Sequence, residues 1–75
     1  MFLQIVKNRT NILSYSLVSK EDIKKFHPYH MEIQSWLYGP KVGSKFGLTK
    51  GENQYVYIRT NETSDESLKG LALRA

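Results

Sequence analysis

The sequence predicts a small α+β domain: an antiparallel sheet of three to five strands with two short helices, in the order β-β-α-β-(β)-β-α. Three observations carry this. Apolar and polar residues alternate with a period of two near both ends of the chain, most clearly over residues 54–60. Capping residues at Ser19 and Thr63 each precede a short amphipathic segment. The chain has 75 residues and no cysteine, so a single thin core must form without disulfides or thiolate metal sites.

Residues 2–7 read as a strand, with Leu3 and Ile5 on one face and Phe2 and Val6 on the other. Asn8-Arg9-Thr10-Asn11 is turn chemistry, asparagine being tolerant of left-handed backbone. Leu13, Tyr15 and Leu17 then alternate with Ser14 and Ser16, which makes a second strand and an N-terminal hairpin. Ser19 is the expected N-cap of a two-turn helix, with Asp22 completing a capping box and Val18 and Ile23 at hydrophobic-staple positions. Ile23 and Phe26 point to the core, and His27-Pro28 ends the helix because a residue before proline avoids helical geometry.

Residues 30–38 fit either period. The aromatics, the short length and the Gly39-Pro40 stop favour a strand. In residues 39–51 glycine recurs every fourth position, and Val42, Phe46 and Leu48 share a parity that suits an irregular strand. In residues 54–60, Val56 and Ile58 share one face while Tyr55, Tyr57 and Arg59 share the other. Thr63 and Glu66 form the capping box expected for a last helix, whose apolar face is Leu68, Leu71 and Ala72. The short helices and single sheet place the helices on one face.

Charge is uneven along the chain. Residues 1–50 carry 8 Lys and Arg against 3 Asp and Glu, whereas residues 51–75 carry 3 against 4. A formal net charge of +4 suits a nucleic acid or an acidic protein surface as partner, and equally suits simple solubility. The first apolar run stops at Lys7 with no basic residue before it, and no run approaches the ~20 apolar residues of a membrane span. The expectation is a cytoplasmic protein with no membrane partner.

Two constellations are candidates for binding. If Val56 and Ile58 fill the core, Tyr55, Tyr57 and Arg59 face solvent, and Trp36 and Tyr38 extend them into a platform on which bases stack. Lys41, Lys45 and Lys50, set among the glycines, would contact a phosphate backbone without reading sequence. That stretch lacks the spacing of a nucleotide-binding loop. His27 and His30 flank Pro28, which breaks the helix that would let them share a metal, and no third ligand is near in sequence. No metal and no cofactor is expected.

In its size, its Lys/Asn/Ile-rich makeup and its lack of an enzymatic motif, the chain resembles small accessory proteins of phages and mobile elements. The resemblance implies a protein that binds a host macromolecule and inhibits or redirects it, and it assigns no residue. The leading expectation is therefore a non-enzymatic binding and regulatory protein engaging a nucleic acid or a nucleic-acid-handling host protein. Two alternatives stand beside it. One is a toxin-type ribonuclease using His27 or His30 as acid and base, with Arg59 or a lysine stabilising the phosphorane. The other is a structural subunit that self-associates into a homo-oligomer.

Overall fold

A computed structural model describes residues 1–39 and 41–75. The elements are β1 (Phe2–Asn8), β2 (Asn11–Val18), α1 (Lys20–Phe26), α2 (Met31–Trp36), β3 (Lys45–Lys50), β4 (Asn53–Arg59) and α3 (Asp65–Arg74). The four strands form one antiparallel sheet in the order β2-β1-β4-β3. The α+β class and the antiparallel sheet are as the sequence predicts. The chain has a third helix where residues 30–38 suggested a strand.

That third helix is α2. His30 is its N-cap, and its Nδ1 accepts a hydrogen bond from the Ile33 amide at 3.3 Å. The helical spacing of Ile33, Trp36 and Leu37 prevails over the strand preference of the aromatics. It puts Ile33 and Leu37 fully into the core, where each contributes about 1.5–3 kcal/mol relative to exposure. Pro40, half of the expected Gly39-Pro40 stop, lies outside the described residues.

Both faces of the sheet are covered, a correction to helices on one face. On the first face α1 and α2 pack Ile23, Ile33 and Leu37 against Phe2, Leu48 and Tyr57. On the second, α3 packs Leu68 and Ala72 against Leu3, Ile5 and Ile58. Register follows from the cross-strand pairs Phe2–Arg59, Gln4–Tyr57 and Val6–Tyr55, which share the α1–α2 face. Leu3–Ile58 and Ile5–Val56 share the α3 face. The parity read for the first and last strands is therefore right, but neither face of the inner strands is left to water.

Local signals hold with small displacements. Ser19 Oγ accepts from the Asp22 amide at 3.1 Å, and Asp22 Oδ2 accepts from the Ser19 amide at 3.2 Å, a complete capping box. The cap of α3 is Ser64, one residue past the expected Thr63, and its hydroxyl accepts from the Ser67 amide at 3.3 Å. In the β1–β2 turn the left-handed residue is Arg9 (φ 55°), not an asparagine. The glycine stretch becomes strand only at Lys45, with Leu48 buried and Phe46 half-buried, while Val42 lies outside the strand and exposed. Gly43 and Gly51 take positive φ in the turns that flank β3, which is why glycine stands there.

Candidate functional site

The α1–α2 connection forms one wall of a surface pocket. α1 ends at Phe26, and His27 leaves helical geometry at φ −128° and ψ 60° ahead of Pro28. Phe26, His27, Pro28, Tyr29 and His30 then face Leu48, Thr49 and Lys50 of β3 across a cavity of about 310 Å³. Lys50 ties the walls together: its Nζ donates to the Phe26 carbonyl at 3.1 Å and lies 4.5 Å from the centre of the Phe26 ring. An ammonium at the end of a helix is held there by the unpaired carbonyls. The His27 carbonyl accepts from Gln34 Nε2 at 2.8 Å, which fixes the turn from within α2.

Behind the pocket lies a buried polar chain. The Tyr57 hydroxyl is 2.7 Å from His27 Nε2 and accepts from Gln4 Nε2 at 3.0 Å. Tyr57 is fully buried, so its hydroxyl proton needs an acceptor. Gln4 supplies a donor, so the acceptor is His27 Nε2, and the His27 ring proton sits on Nδ1. Desolvation, helped by the Lys50 charge and by His30, holds His27 below the ordinary histidine pKa, which favours this neutral ring. Burial pushes the Tyr57 hydroxyl up to about 12.

Around the pocket the surface is aromatic and basic. Tyr29 is 93% exposed, Met31 79% and Tyr38 68%. Phe26 keeps much of its ring in water while packing on Tyr55 at 5.2 Å. Lys20 and Lys24 hold their ammonium groups 4.7 and 4.5 Å from the Tyr38 ring centre. Lys24 also donates to the Tyr38 hydroxyl at 2.6 Å, and that bond and charge lower the phenol's pKa.

The residues predicted from sequence do not gather into one platform. Tyr57 is in the core, a correction to its expected exposure, because α1 covers its face. Tyr55 is half-buried under Phe26 and His27. Trp36 is half-buried between Phe2 at 5.3 Å and Phe46 at 5.7 Å. Arg59 lies over Phe2 at 5.5 Å, with its Nε buried and unpartnered among the described residues. Tyr38 remains exposed beside Lys20 and Lys24, and Lys41 is exposed in the loop before β3. Lys45 and Lys50 sit on opposite faces: Lys45 pairs with Ile58 and borders Leu71 and Arg74 of α3, while Lys50 borders Phe26.

Sequence reasoning missed Phe26, Tyr29, Lys20 and Lys24 as surface groups and His27 as a buried one. Phe26 was expected in the core but keeps much of its ring in water. The available signal was Pro28-Tyr29 between two helix caps, since so short a connection lifts a tyrosine away from the sheet.

No group of three His, Cys, Asp or Glu side chains gathers as a metal site among the described residues. No described helix is long and apolar enough to cross a membrane. No protein-family model, curated protein or solved structure matches the chain.

Proposed function

We propose that this chain is a small non-enzymatic binding and regulatory protein that engages single-stranded nucleic acid in the cytoplasm through its α1–α2 face. The observation that carries the reading is the interleaving of exposed rings with ammonium groups. Phe26 lies beside Lys50, Tyr38 beside Lys20 and Lys24, and Tyr29 stands 93% exposed in the connection between the two helices. Rings offer stacking surfaces to bases of any sequence, and the adjacent lysines meet the phosphates. Binding there would regulate by occlusion. The two histidines are engaged structurally, His27 Nε2 by Tyr57 and His30 Nδ1 by the Ile33 amide, which supports a binding role over acid-base cleavage.

A nucleic-acid-handling protein is the second target class. The exposed pair Tyr29 and Met31 favours it, aromatic residues and methionine being enriched at protein interfaces.

Fluorescence anisotropy of labelled single-stranded oligonucleotides across a salt series tests the first reading. The expected result is an affinity that falls linearly on a log–log plot. Replacing Lys20, Lys24 and Lys50 by alanine should reduce the slope by about 2, at ~0.7 per phosphate contact on single strands. Tyr29→Ala should weaken binding at every salt concentration and leave the slope unchanged. Absence of binding, or binding indifferent to salt, overturns the nucleic-acid reading.

A further inference from the structure

We propose that two copies of this chain pair through their β2 edges, antiparallel about a two-fold axis at Tyr15, to form one continuous eight-stranded sheet from two four-stranded ones. The strand order places β2 at an edge, where only one side of its backbone is hydrogen-bonded to β1. The outward-pointing amides and carbonyls of such a strand are a template for another strand. Natural edges are usually blunted by charge, proline, shortness or a β-bulge, and β2 carries an irregularity of the last kind at Leu13, near its start. The other edge, β3, has six residues, a lysine at each end and Gly47 between them. β2 has eight residues, Asn-Ile-Leu-Ser-Tyr-Ser-Leu-Val, with no charge, proline or glycine.

The order of those residues identifies the partner. Ile12-Leu13-Ser14-Tyr15-Ser16-Leu17-Val18 reads as the same residue classes in both directions about Tyr15. In an antiparallel pair with its two-fold axis at Tyr15, Leu13 faces Leu17 of the second copy, Ser14 faces Ser16 and Tyr15 faces itself. Ile12 and Val18 fall outside the matched set, because the irregularity at Leu13 turns Ile12 to the α3 face while Val18 lies on the α1–α2 face. A two-fold interface requires one surface to complement itself, and this strand meets that condition from Leu13 to Leu17. Each matched pair is of a kind that stabilises neighbouring strands: aliphatic with aliphatic, hydroxyl with hydroxyl, ring with ring.

Exposure points the same way. The register shift between Val6 and Lys7 leaves Leu13 without a partner on β1, and Leu13 is 56% exposed. In the pair it is covered by Leu17 of the second copy. On α3, Leu71 and Arg74 border Lys45 and Ile58, on the β3–β4 side. At about 100° per residue, Leu73 falls on the opposite flank, toward β2. Leu73 is 68% exposed, so the helix that packs over β2 adds a second bare leucine beside the same edge. This inference is independent of the nucleic-acid reading, because the Phe26–Lys50 pocket lies at the other edge of the sheet and stays open.

Sedimentation equilibrium over a concentration series, with circular dichroism as the check on folding, tests it. Ser14 and Ser16 are exposed, so charged replacements there leave the fold intact. Wild type should sediment as a dimer of the 8.7 kDa chain. In Ser14→Lys/Ser16→Glu each lysine faces a glutamate of the second copy, and the dimer should persist. In Ser14→Lys/Ser16→Lys like charges face one another, and the dimer should weaken by about tenfold or more relative to the Lys/Glu variant. A wild type that stays monomeric at every concentration overturns the proposal. So does equal dimerisation of the two double variants, which would put the contact elsewhere.

Discussion

The Tyr57 hydroxyl lies 2.7 Å from His27 Nε2, joining the centre of the sheet to the end of α1 through a core that is otherwise apolar. Gln4 completes the chain from β1 at 3.0 Å. A buried polar group costs little when bonded and a good deal when not. Tyr57→Phe removes the hydroxyl and leaves both His27 Nε2 and Gln4 Nε2 without that partner. The expected loss is about 1–3 kcal/mol. For a domain of this size each kcal/mol lowers Tm by about 4–8 °C. Thermal unfolding of the variant checks this, and an unchanged Tm would show that the chain carries no stability.

The same chain sets the acid limb of stability. His27 is held below its ordinary value of ~6.5 in the folded state, chiefly by desolvation. Between that value and the lower folded one, the unfolded state binds more protons than the native state. Stability is therefore complete above about pH 6.5 and falls as pH drops through it. Asp22 is also lowered, by its capping bonds to Ser19, but its window opens only below ~4. Tm measured from about pH 8 to about pH 5 should decline in wild type, and His27→Gln should flatten that decline. The alkaline limb has the opposite sign. With Tyr57 raised to about 12, its contribution is present below ~10 and is lost as pH rises above that.

What could be read from the sequence divides along one physical line. The Ser19 capping box joins residues three apart, and a local pattern suffices to find it. Strand parity is equally local, which is why Tyr55, Tyr57 and Arg59 were correctly placed on one face. Parity shows which residues share a face and is silent on what covers it. The covering came from Ile23 and Ile33, distant in sequence from Tyr57. The ambiguity over residues 30–38 had the same origin. Both periods fit, and the helix is the one that buries Ile33 and Leu37 and sets Trp36 between Phe2 and Phe46. The pocket joins residues 26–30 to residues 48–50, a pairing that no spacing along the chain announces.

The hairpin turn offers a stabilising substitution. Arg9 has φ 55° at the first central position of the two-residue β1–β2 connection. Left-handed geometry costs an ordinary L-residue about 1–2 kcal/mol, and glycine avoids that cost. Glycine also gains freedom in the unfolded chain, which offsets part of the benefit. Arg9→Gly should therefore raise stability by about 0.5–1 kcal/mol. Chemical denaturation measures it, and a drop in midpoint would mean that the arginine makes a contact worth more than the strain.

Lys50 separates the two largest of the three causes acting on His27, the third being His30. Its ammonium bonds the Phe26 carbonyl at 3.1 Å and stands over the Phe26 ring at the mouth of the pocket. Its charge is the second contributor to the lowered His27 pKa, after desolvation. Lys50→Gln keeps a donor for the carbonyl and removes the charge. In a titration followed by NMR of the imidazole protons, the His27 pKa should then rise but remain below ~6.5, because burial is unchanged. The decline of Tm toward low pH should become shallower in proportion, since the gap between folded and unfolded values has narrowed. Complete return to ~6.5 would mean that charge, and not burial, holds the ring neutral. No movement at all would place the Lys50 charge too far from His27 to matter, and Lys50 would then act only as the clasp between β3 and the end of α1.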